Sequence, residues 1–185
     1  ALGTDALHGL VMPGAVSEPE NMSDAERVAH ELEIEFDVIE IHPFVDRLLE
    51  VFPEASEDYL AVGNSRARFR TVLNYFVANH ENAIVLGTGN RTEGLVGYFT
   101  KFGDGAVDCN PLGNCYKQQV RQIARYVGVP EDIIEKTPTA GLWADQTDED
   151  ELGIDYDTLD SILALAVDGN LSPGATARLL GVDRE

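Results

Sequence analysis

Apolar positions along the chain follow two periods, near 2 where strands are predicted and near 3.6 where helices are. The run from His8 to Met12 is largely apolar and stops at Pro13, the pattern of a short buried strand running into the loop 14–21. Ser23 followed by Glu26 is a capping-box pair, and Ala25, Val28, Ala29 and Leu32 recur at helical spacing, so a helix is predicted from Ser23. Glu35 to Ile41 alternates apolar and acidic residues as far as His42-Pro43, which predicts a second strand, and Phe44 to Phe52 is again amphipathic. Phe69, Leu73, Phe76 and Val77 predict a helix over 65–80, and Ala83 to Leu86 a third strand broken by Gly87-Thr88-Gly89. Beyond it the spacing predicts a short helix over 93–98 and a longer one over 115–127, with Val120, Ile123, Ala124 and Val127 on one side. Pro130 opens a further short helix. Strands separated by helices, without repeats or low-complexity linkers, predict the α/β class with a parallel sheet covered on both faces. In such sheets ligands bind beyond the carboxyl ends of the strands, here Met12-Pro13, Ile41-His42 and Gly87-Thr88.

Composition narrows the class. The 185 residues are 44% hydrophobic and 25% charged, enough for one ordinary domain with a core. No apolar run reaches bilayer length, and the opening ALGTDALHG lacks the basic start and apolar stretch of a signal. Cys109 and Cys115 are too sparse for a disulfide framework or a closed zinc site. A soluble protein of a reducing cytoplasm is therefore expected. The 33 acidic against 13 basic residues give a net charge of -20, which disfavours nucleic acid and anionic membranes as partners. Ten of the basic residues are Arg, and only Lys101, Lys117 and Lys136 are Lys. An acidic, Lys-poor surface keeps a protein soluble in concentrated salt, where the screening length falls to about 3 Å at 1 M. A salt-loving source is expected, with an ordinary acidic protein as the alternative.

Candidate chemistry gathers in residues 86–111, LGTGNRTEGLVGYFTKFGDGAVDCNP, which leave a strand through two glycines and bring Thr88, Glu93, Lys101, Asp104 and Asp108 into a short span. Glycines at that point let backbone approach a ligand, although a plain tight turn has the same pattern. Glu93 can serve as a hard oxygen ligand, since magnesium is commonly held by one or two carboxylates plus substrate phosphates; the alternative is a solvated helix carboxylate. Where Lys has been so largely replaced, the remaining ammonium groups are candidates for contact with phosphate, and Lys101 and Lys117 both flank this segment. Lys117, Arg121 and Arg125 share a helical stripe. Surface ion pairs are the favoured reading for the two arginines, and anion binding at a helix start for Lys117. Arg66, Arg68 and Arg70 cannot share one helix face, so one is expected to reach a phosphate or carboxylate and the others to form ion pairs. The connection Lys136 to Trp143 has the make-up of a loop that closes over a site, and the acidic run Asp145 to Glu151 that of a solvated linker. His8, His30, His42 and His80 show no ligand spacing, and no Ser/His/Asp or Cys/His arrangement is present.

Three long stretches are specific enough to carry a resemblance: GNSRARFR (63–70), GTGNRTEGLVGYFTKFGDGAVDCNPLGNCYKQQV (87–120) and KTPTAGLWADQTDEDELGIDYDTLD (136–160), with VMPGAVSEPENMSDA near the start. Together they resemble ammonia-dependent NAD synthetases of an archaeal type. The resemblance implies a three-layer, adenine nucleotide α-hydrolase-like (Rossmann-like) α/β fold and a homodimer. The implied reaction is magnesium- and ATP-dependent amidation of deamido-NAD, through an acyl-adenylate from which ammonia displaces AMP. Carried over by position, Thr88, Lys117, Thr139 and Met12 resemble ATP contacts, Glu93 a magnesium ligand, and Arg68, Lys101 and Asp108 contacts to deamido-NAD; Lys117 and Glu93 would be the catalytic pair. Polyanionic substrates in so acidic a protein need magnesium and local cations to offset repulsion.

The chain departs from the family pattern in two places. The family's pyrophosphate loop SGGxDS and its basic His-Lys pair near the carboxyl end are both absent from residues 1–185. One synthetase domain over 1–185, cut at both ends relative to the family, is therefore expected, and turnover would depend on the missing loop. No glutaminase segment is seen, so free ammonia is the implied nitrogen source. Two other readings stay open: a noncatalytic nucleotide-binding or dimerisation module, and an ATP pyrophosphatase-type ligase with another substrate.

Overall fold

The structure, a computed structural model, describes residues 3–14, 19–143 and 146–182, without the side chains of 19–23. They fall into two compact units, each assembled from separate stretches of chain.

The first unit comprises Ala1–Leu86, Thr100–Cys109 and Thr139–Gln146. Strand β1 (His8–Val11) pairs in parallel with β2 (Glu35–Val38) across helix α1 (Pro19–Glu31), in the register His8↔Glu35 to Val11↔Val38. Gly9 opposes Phe36, and a Cβ on Gly9 would stand 3.1 Å from that of Phe36, so a side chain there would press on the ladder. Backbone bonding outlasts β2: Ile39 donates to Val11 and Ile41 to Pro13, each at 2.9 Å, which accounts for the alternation persisting to the fully buried Ile41. Helix α1 begins at Pro19, four residues before the predicted start, because proline is favoured in a first helical turn. The Ser23 cap, most of the 14–21 loop and Asp145 lie outside the described residues or side chains.

Helix α2 (His42–Val51) packs on α3 (Tyr59–Glu81). Helix α3 starts six residues before the predicted Ser65, where Asp58 accepts the Ala61 amide at 2.9 Å as an N-cap. Gly63, which precedes the predicted helix, is therefore buried inside α3. A Cβ on it would stand 3.1 Å from that of Leu142 and 3.3 Å from the Trp143 ring. The predicted third strand is corrected: Ala83–Leu86 shows one isolated parallel bridge, Leu86↔Cys109. The cause is a contact with a residue 23 positions on: the Asp108 carboxylate takes the Val85 N–H at 2.9 Å while the Val85 carbonyl accepts from Asp108 and Cys109. Ile41, Val45, Val62, Ala67, Ala78 and Val85 are the buried apolar residues of this unit.

The second unit comprises Gly87–Phe99, Asn110–Pro138 and Thr147–Glu185 and is helical throughout its regular part. Its helices are α4 (Arg91–Val96), α5 (Lys117–Val127), α6 (Glu131–Ile134), α7 (Asp148–Leu152), α8 (Tyr156–Leu163) and α9 (Pro173–Leu180), with a π-helical turn, Ala164–Asp168, after α8. Helix α8 is the hub, packing on α4, α5 and α9 and burying Tyr156 and Leu159. The predicted apolar face of α5 is only partly covered, since Ile123 and Val127 remain exposed.

Two expectations follow from the first unit. His8 bridges Glu81, at 2.8 Å from Nδ1, and Asp37, at 3.2 Å from Nε2. The hydrogen bond to Glu81, opposed in part by desolvation and aided by both charges, raises its pKa above the ordinary 6.5. The protonated ring is thus favoured in the folded state, so this stabilisation is complete below about pH 6.5 and disappears as pH rises through the raised folded value. Urea unfolding of the parent and of His8→Gln from pH 5 to 9 should show their difference shrinking toward alkaline pH. Arg70 donates through Nε to the Met12 carbonyl at 3.1 Å. Arg70→Met leaves that acceptor unpaired and should lower unfolding free energy by about 1–3 kcal/mol, read from the denaturant midpoint.

Candidate active site

The turn Gly87-Thr88-Gly89 leads directly into α4, whose start is set by a reciprocal capping box. Asn90 Oδ1 accepts the Glu93 amide at 3.0 Å, and Glu93 Oε2 accepts the Asn90 amide at 2.9 Å. The same carboxylate meets the Lys117 ammonium at 3.1 Å through Oε1, with both side chains about four-fifths buried. Glu93 is therefore a mostly buried carboxylate with a partner at each oxygen, not a freely solvated one.

Lys117 is the first residue of α5, but the start of that helix is not open to an external anion at its first two amides. The Lys117 amide donates to Thr92 Oγ1 at 3.0 Å and the Gln118 amide to Asp160 Oδ2 at 2.8 Å, while Thr92 Oγ1 donates to Asp160 Oδ1 at 2.5 Å. Those two amides are engaged internally, the first by the Thr92 hydroxyl and the second by the Asp160 carboxylate, so an anion at this helix start would meet the Lys117 ammonium rather than these amides.

Around the ammonium stands a second group of acids and phenols. The Lys117 Nζ lies 4.9 Å from the centroid of the Tyr156 ring, a cation–π distance. Tyr156 donates to Asp148 Oδ2 at 2.9 Å, and Tyr98 reaches Asp148 Oδ1 at 3.2 Å and Glu151 Oε2 at 2.6 Å. Burial pushes the Asp148 carboxyl up, offset by the Tyr156 bond and the nearby Lys117 charge; burial with neighbouring acids holds both phenols protonated far above their ordinary range. Asp148 is 5% exposed, so the acidic run Asp145 to Glu151, expected to be a solvated linker, contains a buried carboxylate.

Among the sequence candidates, Thr88, Glu93 and Lys117 belong to this second unit, with Thr88 exposed and the other two in contact. Met12, Arg68, Lys101, Asp108 and Thr139 belong to the first. There Lys101 is exposed with its ammonium over Phe102, Asp108 accepts from Tyr75 at 3.1 Å besides the Val85 amide, and Thr139 Oγ1 accepts the Gly141 amide at 3.0 Å. Arg66, Arg68 and Arg70, carried along α3, donate to the backbone carbonyls of Leu142, Lys101 and Met12. Trp143 rests edge-on against Tyr59, 5.2 Å between centroids, so the 136–143 connection is anchored at its end. Arg121 and Arg125 form the surface ion pairs expected, with Asp157 and with Glu131 and Glu135.

Sequence reasoning missed Thr92, Tyr98, Asp148, Tyr156 and Asp160. For α8 a signal existed, since Tyr156, Leu159 and Asp160 fall at helical spacing on one buried face. No group of three or more His, Cys, Asp or Glu suited to a metal is present among the described residues. Glu93 is a hard oxygen donor with a fixed rotamer, the kind that holds magnesium jointly with phosphate oxygens, so the donor chemistry fits that ion. No helix among the described residues is long and apolar enough to cross a membrane.

Comparison with known proteins agrees with this architecture. The NAD synthase family model matches residues 1–185. The NH(3)-dependent NAD(+) synthetase of Halobacterium salinarum is 66% identical, over 98% of this chain and 68% of that protein, and its Pyrococcus furiosus counterpart 48% identical over 100% and 71%. Among solved structures, an NMN synthetase from Francisella tularensis superposes with a TM-score of 0.82 at 37% identity, covering 94% of this chain and 71% of that one. An NH3-dependent NAD synthetase from Campylobacter jejuni gives 0.70 at 30% identity, covering 94% and 70%. The fold is accordingly the α/β, parallel-sheet, adenine nucleotide α-hydrolase-like type expected from the sequence. On the strength of a match along its whole length, the chain belongs to the NAD synthase family.

Proposed function

We propose that the protein is an ammonia-dependent ligase that makes NAD from deamido-NAD and ATP, releasing AMP and pyrophosphate. The observation that carries the reading is the Glu93–Lys117 pair, held at 3.1 Å and mostly buried, in a chain 66% identical to a protein of that name. The nicotinate carboxylate oxygen attacks the α-phosphorus of ATP, the bond to the pyrophosphate oxygen breaks, and an acyl-adenylate results. The ammonia lone pair then attacks the acyl carbon, AMP leaves with its oxygen, and the nitrogen sheds a proton to become the amide.

Each residue has a role in this reading. The Lys117 ammonium, steadied by Glu93 and the Tyr156 ring, faces the phosphates and offsets charge that builds up as pyrophosphate departs. Glu93 would hold magnesium, which when bound neutralises phosphate charge. Thr88, Thr139 and Met12 contact ATP; Arg68, Lys101 and Asp108 contact deamido-NAD. The span 1–185 acts as one synthetase domain, in a cytoplasmic homodimer. Exposed Val72 and Phe76, four residues apart on α3, support an interface between copies. No role for nucleic acid or membrane is proposed for a chain of net charge -20.

A second reading is favoured by one observation, the likeness to a solved NMN synthetase: a ligase of the same chemistry acting on the deamidated mononucleotide. The intact protein, given ATP, magnesium and ammonia with either carboxylate, decides between them. Pyrophosphate and NAD formed in equal amounts from deamido-NAD, at much the higher kcat/KM, support the first reading. Preference for the mononucleotide supports the second, and turnover of neither leaves a binding module.

Glu93→Gln keeps the acceptor for the Asn90 amide, since glutamine also completes a capping box, and loses only the charge. By leaving the mostly buried Lys117 ammonium without its counter-charge it should cost about 1–3 kcal/mol of stability, while lowering magnesium-dependent kcat/KM by about a hundredfold. Thermal unfolding alongside steady-state kinetics over magnesium concentration checks both; unchanged kinetics would remove Glu93 from the site.

A further inference from the structure

We propose that Asp160 is a positioning residue for this site, holding Glu93 and Lys117 in register through Thr92 and the first amides of α5; the inference rests on the ligase reading. Asp160 is 6% exposed and Thr92 fully buried. One carboxylate joins three helices: its own α8, α4 through the Thr92 hydroxyl, and α5 through the Gln118 amide, while the Lys117 amide closes the arrangement on Thr92. Thr92 is the covalent neighbour of Glu93, and Lys117 itself carries one of the bonded amides. The latch therefore fixes the two backbone points from which the reactive side chains project.

Apolar packing is a weak substitute for it. Leu95 and Val96 of α4 are 40% and 38% exposed, and Ile123 and Val127 of α5 are 41% and 64% exposed. The Glu93–Lys117 contact cannot set the alignment either, because a lysine stem has several rotatable bonds and follows its partner wherever the backbone moves. Buried, directional bonds on a shared carboxylate carry the geometry, and a displacement near 1 Å at such a point can cost about a hundredfold in rate.

The competing account is a helix cap that stabilises α5 and nothing more. Thr92→Val, which removes the hydroxyl at constant shape, and Asp160→Asn, which removes the charge, test it in the intact protein. Thr92→Ser restores the hydroxyl. Asp155→Ala is the control: it deletes the N-cap of α8, where Asp155 accepts the Thr158 amide at 2.8 Å, without touching the latch. Both latch variants should lower kcat by about 30- to 100-fold, with KM for ATP changing less than about threefold, and Thr92→Ser should recover to within about threefold of the parent. Asp155→Ala should lower the thermal midpoint and leave kcat alone. A second readout needs no turnover: acylation of the Lys117 amine, followed by mass spectrometry, should accelerate severalfold in the latch variants and not in the control. Latch variants that keep parental kcat per folded molecule and parental Lys117 reactivity overturn the proposal. A parent that makes no NAD instead sinks the ligase reading, and the acylation rates then decide the latch alone, unchanged rates refuting it. Should Thr92→Val fail to fold, Asp160→Asn and Thr92→Ser decide by the same measures.

Discussion

A buried carboxylate in this chain finds many of its partners among neutral donors, because 33 acids share 13 basic side chains, three of them lysines. Removing a carboxylate from water costs several kcal/mol unless hydrogen bonds or an opposite charge replace the solvent. The second unit meets that demand three ways. Asp160 takes a hydroxyl and a helix amide, Asp148 takes two phenols, and Glu93 takes a backbone amide and the ammonium of Lys117. Each solution fastens one helix to another, so satisfying the acids and assembling the helices are the same event. Of the two lysines of this unit, Lys117 pairs with Glu93.

The first unit solves a different shortage. Its parallel pair is short, and the stretch 83–86 adds a bridge rather than a strand, so several chain ends and loops leave carbonyls without sheet partners. Three arginines spaced two apart on α3 each donate to one of those carbonyls, at Met12, Lys101 and Leu142. Their divergence around the helix, which prevents them from gripping one ligand, suits them to hold three separate segments. Burial lowers the pKa of the Arg66 and Arg70 guanidinium groups, and a group that stays charged despite this makes a strong donor to a carbonyl.

Membership of the NAD synthase family gives this arrangement a purpose. Adenylation and ammonolysis pass through states in which negative charge moves between phosphates and a carboxylate, and a molecule of net charge -20 is a poor host for them unless its cations are held in place. In the proposed reading, the carboxylate of Glu93, the Tyr156 ring and the start of α5 hold Lys117 in place for that purpose. The acidity that makes the requirement acute is shared with a surface adapted to salt, and the halobacterial relative at 66% identity accords with that setting.

Much of this was legible in the amino-acid order alone. Periodicity located α2, α5 and α6 within a few residues and the parallel βαβ unit, and scarcity of lysine singled out Lys117, since local patterns report local geometry. Long matching stretches carried the family. What periodicity could not carry was decided by contacts between residues far apart in the chain. Asp108 consumes the Val85 amide and cancels a strand, Asp160 reaches back 68 residues to Thr92, and Asp148 is buried within a run whose composition reads as solvated. An acid's sequence neighbours say nothing of which distant hydroxyl or amide will meet it, and that pairing, made only when the helices pack, determines which carboxylates are surface charge and which hold the site together.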